Sequence, residues 1–347
     1  MRWRENIGGC NMKKLQGISI LCIALILLLV PIVTSWASGA KEAAKPGPTT
    51  VTFRLNWKTT GPHVAYYLGK SLGYYQEENI DLQILEGTGS VTVAQLIANK
   101  SDMIGLADAT ALMPSLAKGM PIKAIGMVSP KSSLAVVARK DRNINTLKDL
   151  EGKRLALTAG DSLTQIWPAV VAANNLNAGK IELVYVDAAA KVPVVLEGKA
   201  DALLGSSADQ NFILEERGVP VVCLNFADYG VNVLNLALWA HVDTIKQNPD
   251  LLRRFLRATK KSLEAWATNK EKAVQVTAAT RSDLDPKVIA KQADAYFPLL
   301  KSPNQPSAPL LTNVAADWEQ TFQLMKQYRG LETTMKVTDF YTNELLP

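Results

Sequence analysis

The chain has 347 residues, 38 of them basic and 32 acidic, for a formal charge of +6, and 48% are apolar. That length is roughly two domains' worth by the usual size prior. Its three cysteines and two histidines (His63 and His241) form no cluster with metal-ligand spacing, so no metal is expected.

The N-terminus reads as an export signal. Residues 1–11 are polar, and Met12-Lys13-Lys14 offers a second start. Ile18 to Val33 is an apolar run broken only by Ser19 and Pro31, and Ser35-Trp36-Ala37 places small residues where a signal peptidase reads. A positive end, an apolar middle and a small-residue exit predict a secretory signal over residues 1–37, cleaved near Ala37. The alternative is an uncleaved membrane anchor, since the run approaches the shortest spanning lengths. Cys22 follows Ile20-Leu21, too bulky for a usual lipoprotein site. Residues 38–50, including Lys41 to Thr50 (KEAAKPGPTT), read as a flexible linker. The expected location is the periplasm or the outer face of the cytoplasmic membrane.

Without residues 1–37 the chain keeps 34 basic and 31 acidic residues, a charge of +3. No basic stripe then remains to track phosphates, which excludes a nucleic-acid partner. Cys10 and Cys22 leave with the leader, and Cys223 alone forms no internal disulfide.

From Val51 the chain alternates strands and helices. Strands are predicted at Val51–Asn56, Ile80–Glu86, Met103–Ala107, Ile122–Val128 and Leu134–Ala138. Helices are predicted at His63–Leu72, Ser90–Asn99 and Thr110–Lys118. A second unit starts near Lys140, with strands at Arg154–Thr158, Ile181–Val186, Ala202–Gly205 and Val219–Leu224. Its helices are Ser162–Asn174, Val192–Glu197 and Asp209–Arg217. Leu234–Ala240 returns the chain to the first unit, and Pro249–Asn269 repeats apolar residues near helical spacing. Ser302–Pro309 reads as a surface loop and Trp318–Tyr328 as a packed helix. The β-α-β rhythm predicts an α/β fold of two lobes, each a mostly parallel sheet flanked by helices. Lobe 1 is expected to hold residues 51–138 and 235–347, and lobe 2 residues 139–234. Two strands, around Leu134–Ala138 and Leu236–Ala240, join them. Such a clamp closes by hinge motion on a ligand.

Candidate ligand contacts gather where strands hand over to helices, the usual binding edge of an α/β sheet. Trp57 offers a flat face for stacking a heteroaromatic ring; its alternative is packing beneath the first sheet. Asn56 can donate to and accept from a pyrimidine or amide edge. His63 follows a Gly-Pro turn, and it could contact ligand, cap a helix or pack. Thr88-Gly89-Ser90 and Gly160-Asp161-Ser162 each open a helix, so their backbone N–H groups could hold a carboxylate, sulfonate or phosphate. A capping hydroxyl satisfies them equally well. Asp108, Asp161 and Asp209 sit just past predicted strand ends, where carboxylates suit amino or ring-nitrogen donors. Lys58 and Lys131 are the nearest basic candidates, which disfavours a small anion. Tyr229 and Asn232 could face the hinge side of the cleft, and Trp167 is balanced between packing and ligand.

The chain resembles the solute-binding proteins of the nitrate, sulfonate, taurine and thiamine-precursor class, which serve ABC importers. The resemblance covers nearly all of residues 51–300. It rests on the order and spacing of Leu55-Asn56-Trp57, Gly73-Tyr74-Tyr75, Ala94-Gln95-Leu96-Ile97, Lys100-Ser101-Asp102, Lys118-Gly119-Met120-Pro121, Leu147–Lys153 and Gly198-Lys199-Ala200-Asp201. It implies a type II periplasmic-binding-protein clamp. Implied partners are a small-molecule solute and an ABC permease with its ATPase, reached by a monomer that meets a membrane only there or through an uncleaved anchor. The Asn-Trp followed by histidine resembles the branch handling thiamine pyrimidines, which includes pyrimidine synthases. The synthases carry a lysine and a histidine shortly after the segment matching Asp102–Leu106, where this chain has Ala107 and Ala111. They also carry a cysteine-rich iron motif where this chain has GVNVLNLALWA, Gly230–Ala240. The resemblance therefore implies a binding protein with no catalytic residues and no cofactor, pyridoxal phosphate and iron included. A sulfonate, taurine or nitrate carrier on the same scaffold is the first alternative, and a pyrimidine-synthase-type enzyme, disfavoured by Ala107, Ala111 and the absent cysteine motif, is the second.

Overall fold

The computed structural model describes residues 47–347, so the expected leader and most of the linker lie outside the described residues. The described chain builds two five-stranded sheets, each flanked by helices. The first holds β1 (Thr49–Arg54), β2 (Ile80–Leu85), β3 (Ile104–Asp108) and β4 (Ile122–Met127). The second holds β5 (Leu134–Arg139), β6 (Arg154–Leu157), β7 (Glu182–Tyr185), β8 (Ala202–Ser206) and β9 (Val221–Asn225), after which β10 (Leu236–His241) returns to the first. The orders are β2-β1-β3-β10-β4 and β7-β6-β8-β5-β9. Thr49 and Thr50, read as linker, open β1: their β-branched side chains suit a strand, and their backbone pairs with Ile80 and Asp81.

Each sheet has one reversed strand. β10 runs antiparallel to β3 and β4, and β5 runs antiparallel to β8 and β9. Both are the strands the chain lays down just after it changes lobes. This corrects one expectation. Leu134–Ala138 is an interior strand of the second sheet, so the first crossing lies at residues 128–133 rather than after 138. Its residues are buried on both faces, and such a continuous apolar run names no particular sheet.

The crossings are tied to each other and to the first lobe. Asn235 N–H donates to Ser129 O at 3.2 Å. Leu234 donates its N–H to Thr321 Oγ1 at 2.9 Å and accepts from Thr110 Oγ1 at 2.7 Å. Buried backbone groups away from regular pairing need such partners, so the hinge is a defined track.

In the first lobe, α1 (Val64–Ser71), α2 (Tyr74–Glu77), α3 (Ser90–Ala98) and α4 (Ala109–Ala117) connect the strands. The second lobe has α5 (Ser162–Ala173), α6 (Lys191–Leu196) and α7 (Gln210–Glu216). Beyond β10 come α8 (Val242–Gln247), α9 (Pro249–Trp266), α10 (Lys270–Ala278), α11 (Pro286–Tyr296) and α12 (Ala315–Arg329). α9 lays Leu252, Phe255, Leu256, Leu263 and Trp266 against the first sheet, where Phe53 contacts Tyr66 and Phe255 at ring-centroid distances of 4.7 and 5.5 Å. Each such buried side chain stabilises by about 1.5–3 kcal/mol relative to exposure. The basic residues on the opposite face pair with the end of α2: Arg257 with Glu78 at 2.7 Å and Lys261 with Glu77 at 2.5 Å.

Candidate functional site

The C-terminal ends of the sheets face each other across a cleft lined by both lobes. Asn56 and Trp57 lie just past β1, where the chain leaves the sheet and turns through Gly61-Pro62 into α1. Here the geometry is held by a chain of hydrogen bonds. Thr60 N–H donates to His63 Nδ1 at 3.1 Å, so that nitrogen carries no proton. His63 Nε2 is then the protonated one and donates to Asn56 Oδ1 at 2.9 Å. Burial holds the imidazole neutral, lowering its pKa to about 4 against an opposing pull from Glu86. With its oxygen engaged, the Asn56 amide keeps its N–H groups for another partner, and the half-exposed Trp57 ring lies beside it.

The second lobe answers with charge. Asp161 caps α5 by accepting from Thr164 N–H at 2.7 Å, and its other oxygen meets Lys191 Nζ at 2.5 Å. Both side chains of this pair are almost fully buried. The ammonium also stands 5.2 Å from the centre of the Trp57 ring, within cation–π range. Asp209, at the start of α7, accepts from Gln210 Nε2 at 2.7 Å and from Gln292 Nε2 of α11 at 2.8 Å. Burial pushes its pKa up to about 7 despite the opposing charge of Lys191. Asp108 is also raised to about 7 by burial; it caps α4 through Ala111 N–H, and its second oxygen has no hydrogen-bond partner.

The lobes touch directly. Val91 N–H at the head of α3 donates to Gly160 O at 3.1 Å. A Cβ on Gly89 would lie 2.6 Å from that same oxygen, so the contact needs glycine, whose φ of +144° also suits no other residue. The cavity between the lobes measures about 70 Å³. Small-molecule sites usually measure about 300–1,000 Å³, so the lobes must part to admit a ring. Each of the three helix heads facing the cleft has an N–H taken by a protein group: Val91 of α3 by Gly160 O, Ala111 of α4 by Asp108 and Thr164 of α5 by Asp161.

Of the residues expected from sequence, the cleft brings together Asn56, Trp57, His63, Gly89, Ser90, Asp161, Ser162 and Asp209. Gly160 lies behind Gly89, and Asp108 sits beneath Ser90, whose Oγ accepts from Asp108 N–H at 3.0 Å. Thr88 is exposed outside the cavity. Tyr229 packs against the second-lobe core and Asn232 is exposed, and neither lines the cavity. Trp167 is buried against Phe226 at 6.2 Å. Lys58 pairs with Glu86 at 3.5 Å, and Lys131 lies away from the cavity. Ala107 and Ala111 are buried in β3 and α4, away from the cavity.

Sequence reasoning missed Lys191, Ser133, Ser206, Gln210, Asn235 and Tyr296, all of which line the cavity. A lysine opening α6 straight after an alanine run was a usable signal for Lys191. Tyr296 arrives from the C-terminal end of α11, which no local pattern announces.

This arrangement defines a two-lobed periplasmic-binding-protein fold. The alkanesulfonate-binding protein SsuA from Xanthomonas axonopodis pv. citri, bound to MOPS, superposes with a TM-score of 0.68 at 15% identity, over 86% of this chain and 99% of that one. The chain belongs to the NMT1/THI5-like family, whose sequence model matches residues 60–273. A formylaminopyrimidine-binding protein from Halalkalibacterium halodurans is 24% identical over 337 residues, covering 96% of this chain and 99% of the relative. A 4-amino-5-hydroxymethyl-2-methylpyrimidine phosphate synthase from Legionella pneumophila is 22% identical over 306 residues, covering 86% and 92%.

Proposed function

We propose that this chain is an exported, monomeric solute-binding protein that captures a small amino-heterocycle, of the thiamine-pyrimidine-precursor type, and delivers it to an ABC permease and its ATPase. The observation that carries this reading is the Asn56–Trp57–His63 unit. It offers a stacking face and a hydrogen-bonding edge whose direction is set by a neutral histidine. Its pairing with a pyrimidine-binding relative over nearly the whole chain supports the ligand class. The cation in the cleft, Lys191, is already paired with Asp161, which weighs against a sulfonate or nitrate, since a small anion needs free N–H donors or an unpaired cation. Binding rather than turnover is favoured because Ala107 and Ala111 have no reactive group and Lys191 is held in a buried ion pair. Among the described residues, no helix is long and apolar enough to cross a membrane.

Thermal melts with a ligand panel test this. 4-Amino-5-hydroxymethyl-2-methylpyrimidine and a formylaminopyrimidine should raise the Tm, since a ligand at a hundred times its Kd stabilises by about 2.7 kcal/mol. An equal or larger rise with taurine, an alkanesulfonate or nitrate, and none with the pyrimidines, overturns the ligand class. The synthase relatives supply a second reading, tested by adding pyridoxal phosphate and iron: an imine absorbance band would establish it over ours.

A further inference from the structure

One buried side chain belongs to neither the ligand segment of the first lobe nor the charged wall of the second, yet it holds both. Gln292, on α11, is 1% exposed. Its Oε1 accepts from Gly61 N–H at 2.9 Å, in the turn between Trp57 and His63. Its Nε2 donates across the cleft to Asp209 Oδ1 at 2.8 Å and, more weakly, to Asp209 O at 3.3 Å. A Cβ on Gly61 would fall 2.3 Å from Gln292 Cβ, so glycine is what lets the turn come this close.

We propose that Gln292 is the closure latch of the clamp, a positioning residue that couples the Asn56–Trp57–His63 turn to the second lobe when the lobes meet. An amide is the side chain that can do this, because it accepts on one atom and donates on the other. The Gly61 bond lies within one lobe and persists in the open form. The Asp209 bond exists only when the lobes are closed, so its free energy goes into closure. That bond therefore adds to affinity without contributing to the stability of the open form. The proposal rests on the reading of a closing clamp and not on which solute is bound.

The test exchanges donor and acceptor. Gln292→Glu keeps an acceptor for Gly61 N–H but places a carboxylate against Asp209. Adding Asp209→Asn restores a donor–acceptor pair in the reversed sense. Small-angle scattering of the ligand-free proteins should give a larger radius of gyration for Gln292→Glu than for the wild type, and a return towards wild type in the double variant. With 4-amino-5-hydroxymethyl-2-methylpyrimidine as probe, the single variant should bind about ten- to a hundredfold more weakly, the range expected for a hydrogen bond to a charged group. The double variant should recover most of that loss. Equal radii of gyration for all three proteins, or a double variant no more closed than the single one, overturn the proposal. Failure of the probe to bind any of them counts against the ligand class alone, and the scattering comparison then decides the latch.

Discussion

The two walls of the cleft are built on opposite principles. The first lobe presents Asn56, Trp57 and His63 from one short segment, uncharged, with Asn56 and His63 hydrogen-bonded to each other without help from the other lobe. The second presents Asp161, Lys191 and Asp209 from three separate segments, with a buried ion pair at its centre. Burying such a pair costs desolvation that the partners only just offset. A preset neutral wall can select a ring by shape before closure. A charged wall acts only after closure excludes water, when its electrostatics strengthen. Under the proposed function, the first lobe recognises and the second commits.

The largest expected effect attacks the charged wall. Lys191→Met leaves Asp161 buried without its cation, which should destabilise the protein by about 3–5 kcal/mol, and Lys191→Met/Asp161→Asn should recover much of that. Chemical denaturation measures both, and a mild effect of the single change would mean the wall tolerates an unpaired carboxylate. Gly89→Ala comes next, because its methyl group meets Gly160 O only when the lobes close. Solute affinity should fall by about a hundredfold, equivalent to about 2.7 kcal/mol, with the closed form lost in scattering.

A smaller effect concerns pH. Asp108 binds its proton more tightly folded, at about 7, than unfolded, at an ordinary carboxylate pKa near 4. Its contribution is therefore complete below the unfolded pKa and is lost as pH rises through about 7. Between pH 5.5 and 8 that loss is on the order of 2 kcal/mol. Asp108→Asn keeps a capping oxygen for Ala111 N–H and should flatten the decline in Tm; an unchanged slope would clear Asp108. Asp209 contributes in the same direction, whereas the lowered His63 pKa makes stability fall as pH drops from about 6.5 to about 4. Smallest is His63→Phe, which fills the space but frees the Asn56 amide to rotate. Pyrimidine affinity should fall by about fivefold to tenfold, about one hydrogen bond's worth, with little change in second-lobe stability. A fall as large as that of Gly89→Ala would place His63 against the ligand itself.

Local chemistry was legible wherever the signal is short-range. Hydrophobic patterning located the strands and helices, whereas Asp108 and Asp161, expected as ligand contacts, turn out to cap α4 and α5. The Asn56–His63 segment was legible because its parts are seven residues apart and bond to each other. The partner of each charge was not. Asp161 and Lys191 are 30 residues apart, and Gln292 lies 83 residues beyond Asp209. No periodicity links such positions.

By itself the sequence determined the β-α-β order and the two-lobe plan, because propensity and hydrophobic period act over a few residues. Only the tertiary structure decided which sheet Leu134–Arg139 joins, that Asp108 and Asp161 cap helices, that Lys191 and Tyr296 line the cleft, and that Gln292 reaches Asp209. Those outcomes depend on desolvation and packing between segments distant in the chain, where a residue's chemistry is set by what closes over it.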